Sequence, residues 1–147
     1  MSFTYEYPRP AVTVDCILFT KENQQHEVLL IHRKLPPFQN SWAFPGGFVD
    51  MDETLEHAIV RELEEETGII DVELNQLQAF SEIDRDPRQR TISIVFYAFV
   101  KKEDCKIQAG SDAKNVKWFS LQNIPCLAFD HDKILKTTIE KLKIKKE

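Results

Sequence analysis

The chain is predicted to be an α/β protein built on a mixed sheet sandwiched by helices. Three observations lead there. Segments of strand character surround two helical segments without alternating with them, so neither a βαβ series nor an all-β architecture is called for. Residues Thr91 to Val100 (TISIVFYAFV) form a long, almost wholly apolar run, as expected of a central strand covered on both faces. Residues 52–67 and 131–143 place apolar side chains at helical spacing.

Taken in order, Pro8 and Pro10 end an extended N-terminal arm. Ala11 to Phe19 is β-branched and apolar and reads as a strand; Lys21 to His26 is a polar loop, and Glu27 to His32 returns as a second strand. Pro36, Pro37 and Asn40 mark a loop. Trp42 to Gly47 leads through a short strand into a glycine turn. A helix starting near Asp52 follows, closed by Gly68, where a left-handed residue ends a helix at least cost. Val72 to Ser81 holds a strand, then comes the central run at 91–100, and Val116 to Phe119 is a short last strand. His131 to Lys143 is a second helix, with Ile134, Leu135, Ile139 and Leu142 on one face.

The first helix carries the chemical signal. On a helical wheel Leu55, Ile59 and Leu63 form one stripe flanked by Ala58. Glu62 and Glu66 project within about 20–25° of Leu55, and Glu65 about 80° away. Three carboxylates converging where an apolar stripe should continue repel one another unless cations join them. Such hard oxygen ligands call for Mg²⁺ or Mn²⁺, ions that usually serve phosphate chemistry. A merely solvated acidic helix explains neither Gly47 and Gly68 nor acids on the apolar side. Glu56 and Glu64 point away from the cluster, and His57 is read as a surface residue because magnesium prefers oxygen.

Gly47, Glu53, Arg61, Glu62, Leu63, Glu65, Glu66, Gly68 and Ile69 fill every specified position of G-x5-E-x7-R-E-U-x-E-E-x-G-U, with U aliphatic. The segment thus resembles the box of the Nudix hydrolases. The resemblance implies an α/β/α Nudix sandwich and metal-dependent hydrolysis of the pyrophosphate bond in a nucleoside diphosphate linked to another group. It implies Glu62, Glu65 and Glu66 as metal ligands, the carbonyl of Gly47 as a further one, and Arg61 as the residue that orients them, paired with Glu53. The general base stays open. The loop 101–115 contains Glu103, Asp104 and Asp112, of which Asp112 best matches the spacing in the nucleotide-sanitising branch; elsewhere in the family a box glutamate serves, here Glu65 or Glu66. Glu82 is a weaker candidate.

The substrate is read from other segments. The turn Asp84 to Arg90 supplies Arg85, Arg88 and Arg90, guanidiniums suited to phosphate or ribose, although composition alone would equally make it a charged hairpin. The Asp-Pro-Arg-x-Arg run and Leu127 to His131 (LAFDH) resemble the ADP-ribose pyrophosphatase-type members, with Gln89 where a Gly is frequent. Arg33 joins Arg88 and Arg90 as a candidate substrate contact, and Phe38, Trp42 and Phe44 could stack on a base. Hydrolysis of ADP-ribose to AMP and ribose 5-phosphate is therefore the leading expectation. A hydrolase of oxidised nucleoside triphosphates, giving a monophosphate and pyrophosphate, is the second. A non-catalytic module sensing ADP-ribose-type ligands is the third; residues 120–147 are too few for the winged helix that related regulators add.

Composition bounds the rest. The 147 residues suit a single domain, residues 1–147, with 42% hydrophobic and 29% charged residues. A net charge of −5 argues against a nucleic-acid surface, and the basic stretch from Lys141 to Lys146 reads as a solvated helix end. Cys16, Cys105 and Cys126 lack metal or disulfide spacing and read as reduced thiols. With no apolar run long enough for a membrane and no signal segment, the cytosol is the expected compartment. The expected partner is a small nucleotide substrate, with a homodimer left open.

Overall fold

A computed structural model describes residues 2–108 and 113–145. Among the described residues there are seven strands and two helices: β1 Ala11–Glu22, β2 Gln25–Arg33, β3 Trp42–Ala43, β4 Gly46–Phe48, α1 Leu55–Thr67, β5 Asn75–Phe80, β6 Thr91–Phe99, β7 Ala113–Ser120 and α2 His131–Leu142. A 3₁₀ turn spans Lys102–Asp104.

The sheet is mixed. β1 runs parallel to β6 over residues 11–19, and β5 adds to β6 antiparallel. On its other edge β1 is shared: Thr13 to Asp15 pair with β4, and Phe19 to Glu22 pair with β2. β2 diverges beyond Val28 and takes up β3 on one edge and β7 on the other. The chain from Trp42 to Phe48 therefore crosses the mouth of a split sheet, pinned midway where Cys16 N–H donates to the Pro45 carbonyl (2.8 Å).

Helices cover both faces. Val14, Cys16 and Leu18 of β1 pack with Ala58, Ile59 and Leu63 of α1, whereas Ile17 and Phe19 pack with Ile134, Leu135 and Ile139 of α2. Alternate residues of one strand thus enter opposite cores, which is why β1 and β2 read as nearly continuous apolar runs.

Three local expectations are corrected. The loop at 21–26 is a two-residue hairpin turn, Asn23 and Gln24, both left-handed (φ 49° and 70°); with no glycine there, it carries no sequence signal of its type. Gly46 and Gly47 are strand residues of β4 rather than a turn. They are glycines because of close approach: a Cβ on Gly46 would collide with the Val14 carbonyl and the Asp15 carboxylate, and one on Gly47 with the Glu62 carboxylate. α1 begins at Leu55, not near Asp52, because Thr54 caps it, its Oγ1 accepting from His57 N–H (3.1 Å). Its other end is as expected, with Gly68 left-handed (φ 77°) and donating to the Glu64 carbonyl. Among the described residues no helix is long and apolar enough to cross a membrane.

Candidate active site

Strand β1, the crossing segment 42–48, helix α1, the turn 81–90 and the residues before α2 converge on a cavity of about 420 Å³. This size suits a small organic ligand.

Of the box acids, Glu62 and Glu66 line one wall. Arg61 organises the acids around it: its Nε and Nη2 fork onto Glu53 (2.9 and 2.6 Å), Nη2 also reaches the Phe48 carbonyl (3.2 Å), and Nη1 bridges Glu62 (2.9 Å) and Glu65 (3.2 Å). The guanidinium holds the Glu53 carboxyl down to about 2, and Glu53 in turn raises Arg61 above its ordinary value. Glu66 accepts from Gly46 N–H (2.7 Å). Glu62 is different. Burial outweighs the pull of Arg61 and pushes its carboxyl upward.

Among the described residues no three acids stand together as a ready-made metal cluster. Arg61 stands between Glu62 and Glu65, and Glu65 leans outward with its side chain 59% exposed. The donor set still suits a divalent cation. It consists of hard oxygens only, it includes a desolvated carboxylate, and a cationic nitrogen already bridges two of its members. Gly47, lacking a Cβ, brings its backbone against the Glu62 carboxylate.

The opposite wall is cationic and aromatic. Arg33 donates from Nε to the Pro37 carbonyl (2.8 Å), and burial, with the nearby Arg88, lowers its pKa. Arg88 forks onto Asp86 (3.1 and 2.8 Å) and lies over the rings of Phe48 and Phe129. Arg33 also faces Phe129, which Phe38 packs against at 4.9 Å. Phe129 holds a left-handed backbone (φ 53°), a strain that its ring contacts must offset. Arg85 is buried and forks onto Asp130 (3.1 and 2.8 Å), which is why Asp130 leaves the start of α2 without a side-chain cap.

Of the residues singled out from sequence, Gly47, Arg61, Glu62, Glu66, Arg33, Phe44, Arg85 and Arg88 line the cavity, whereas Glu65 does not. Phe38 reaches it only through Phe129. Arg90 does not line it; its side chain is exposed, and its carbonyl accepts from Ala11 N–H. Asp112 lies outside the described residues. Phe44 is core, stacked on His131, and Trp42 packs edge-on to Phe119.

Sequence reading assigned no role to Asp15 or Ser93, and named His131 only within the run 127–131 and as the start of the second helix. Asp15 is buried on the cavity floor, accepts from Ser93 Oγ (2.5 Å), and is raised to about 6 by burial, against the pull of Ser93. Burial lowers His131 to about 3, leaving it neutral. A lone acid within Ala-Val-Thr-Val-Asp-Cys-Ile-Leu-Phe, and a lone serine in the apolar run of β6, were the available signals. The Asp15 shift makes a prediction. An acid whose folded pKa is raised favours the fold while protonated, and loses that contribution as pH rises from about 3.8 through about 6. Asp15→Asn should therefore have a higher Tm than the parent at pH 7.5, with the gap closing near pH 4. Equal Tm values at pH 7.5 would contradict the burial cost.

The comparisons with known proteins agree with this geometry. The NUDIX domain family matches residues 9–142. The chain is 48% identical over 130 residues to an ADP-ribose pyrophosphatase of Methanocaldococcus jannaschii, covering 88% of this chain and 73% of that protein. It is 33% identical to the ADPR responsive transcriptional repressor NtrR of Acinetobacter baylyi over 93% of its own length, and spans 56% of that protein. The NUDIX domain of Shewanella oneidensis NrtR, solved with ADP ribose, superposes with a TM-score of 0.84 at 34% identity, covering 92% of this chain and 90% of that one.

Proposed function

Because the chain belongs to the NUDIX domain family and is a Nudix pyrophosphohydrolase, we propose that it hydrolyses ADP-ribose to AMP and ribose 5-phosphate with Mg²⁺ or Mn²⁺. One structural observation carries the substrate. The turn 84–90 and the segment 127–131, the two stretches that resemble ADP-ribose pyrophosphatases, are joined by the Arg85–Asp130 fork beside the cavity that Glu62 and Glu66 line. The identity with the Methanocaldococcus enzyme supports the same reading.

In this mechanism water attacks one phosphorus and the P–O–P bridge breaks, the bridging oxygen leaving on the other phosphate. When bound, the divalent ion neutralises phosphate charge and makes the attacking water more acidic. Glu62, Glu65, Glu66 and the Gly47 carbonyl would hold it, while Arg61 fixes Glu53, Glu62 and Glu65 in place. Arg33 and Arg88, crowded at one wall, favour an anion between them, the place for the diphosphate. Asp112, Glu65 and Glu66 are the candidate acceptors of the water's proton.

A product-mass assay of ADP-ribose, other nucleotide sugars and nucleoside triphosphates tests the proposal. AMP and ribose phosphate with Mg²⁺, and no turnover in EDTA, are expected. A tenfold preference in kcat/KM for a triphosphate, with pyrophosphate released, would replace it by the sanitising reading. The similarity to NtrR and NrtR favours a second reading, a module that binds ADP-ribose without cleaving it; tight binding without product would select that.

Arg88→Ala should raise KM for ADP-ribose by roughly 10- to 150-fold, since it removes a charge-assisted contact made before and during the chemical step. It should also lower the Tm slightly, because the Asp86 side chain is only 2% exposed and loses its fork. Unchanged KM would make the turn a solvated hairpin.

A further inference from the structure

The cavity floor holds a buried donor and a buried acceptor that the mechanism above does not use. Asp15 and His131 have side chains only 10% and 4% exposed, and both face the cavity. Ser93 Oγ–H occupies Asp15 Oδ2. Asp15 Oδ1 faces His131 Nε2 at 3.8 Å, too far for a hydrogen bond. The histidine tautomer is set from behind: Phe44 N–H donates to Nδ1 (3.2 Å), so the neutral ring carries its proton on Nε2. A fixed acceptor and a fixed N–H donor thus stand side by side, at a spacing that one oxygen can bridge at about 2.8 Å from each.

We propose that Asp15 Oδ1 and His131 Nε2 together bind one hydroxyl of a sugar joined to the diphosphate, the hydroxyl donating to Asp15 and accepting from His131. This rests on the ADP-ribose reading and adds to it a determinant of specificity. A phosphate oxygen is excluded by the adjacent carboxylate. An adenine edge offers a similar donor and acceptor, but in ADP-ribose the base lies beyond the ribose from the diphosphate. Asp15 abuts Gly46, whose N–H holds Glu66 of the box, so the bound group must lie close to the reacting phosphates. A sugar hydroxyl meets that requirement. The buried pair costs solvation in the free protein, and a hydroxyl recovers it, so a substrate lacking the hydroxyl leaves both groups unpaired.

The test compares three ligands on the full chain: ADP-ribose, its analogue with a 2′,3′-dideoxy adenosine ribose, and the tetrahydrofurfuryl ester of ADP, whose distal ring has no hydroxyls. Dissociation constants by calorimetry in EDTA and kcat/KM with Mg²⁺ are both read. The parent should discriminate against one of the two deoxygenated ligands by about 10- to 100-fold, and the one it rejects identifies the sugar. Asp15→Asn keeps an oxygen for Ser93, and His131→Asn keeps an acceptor for Phe44 N–H. Each should shrink the discrimination to within about threefold, chiefly by weakening ADP-ribose itself. A parent that does not discriminate overturns the proposal without recourse to any variant. So do variants that weaken all three ligands equally, which would make the pair a structural one. If the parent neither binds nor cleaves ADP-ribose, the substrate reading fails and takes this proposal with it. Binding of ADP-ribose with the ratio unaltered in both variants overturns this inference alone.

Discussion

Glu66→Gln is expected to lower kcat by at least about 10²-fold, because it removes a charge that holds the ion against the developing phosphoryl charge. The structure makes this substitution informative. The carboxamide oxygen can still accept from Gly46 N–H, so the contact that ties α1 to β4 survives while the charge does not. Folding and Tm in EDTA should match the parent, whereas the rise in Tm on adding Mg²⁺, which follows from binding to the folded state alone, should shrink. Glu65→Gln should cost a comparable factor in kcat. Its side chain is already largely exposed and, among the described residues, bonded to Arg61 alone, so its removal disturbs little else. Full turnover in Glu66→Gln with metal present would place the chemistry elsewhere in the cavity.

The largest effect on stability is expected at Arg85. Its side chain is 3% exposed and forks onto Asp130, itself 11% exposed. Removing one partner of a buried pair leaves an uncompensated charge and costs about 3–5 kcal/mol. For a chain of this length that is a Tm lower by about 10 °C. Arg85→Ala should show this loss, and Arg85→Lys should recover part of it, since a point charge replaces a planar fork. The substitution should also weaken ADP-ribose binding, because the fork holds the arginine turn against the start of α2 and the Phe129 wall with it. A Tm within about 2 °C of the parent would show that the pair contributes no more than an exposed one. The contrast with Arg88, whose partner Asp86 keeps the Arg88 backbone N–H (2.9 Å), separates the two guanidiniums by experiment.

Sequence alone determined what depends on near neighbours in the chain. Gly68 closes α1 because a helix end needs a left-handed residue, and the acids at 62, 65 and 66 share one helix side because the period of the helix puts them there. The long run at 91–100 announced a strand covered on both faces and that at 11–19 a strand; the structure pairs the two in parallel. The box motif, being contiguous, was legible in full.

Only the tertiary structure decided what depends on distant partners. Arg61 was expected beside Glu65, but that it also reaches Glu62 and the Phe48 carbonyl depends on how β4 and the loop carrying Glu53 fold back on the helix. Gly46 and Gly47 looked like a turn because glycine is permissive in either role; here the demand for it comes from Val14, Asp15 and Glu62, which no local rule reveals. Asp15 meets Ser93 across 78 residues and Phe44 meets His131 across 87, so the polar floor of the cavity has no signature beyond single unexpected letters in apolar strands. Arg88 and Arg90 are equivalent as sequence, yet Arg88 enters the cavity and Arg90 faces away from it. Local periodicity specifies which side of an element a residue occupies. Which cavity that side faces is set by the packing of the split sheet against its two helices.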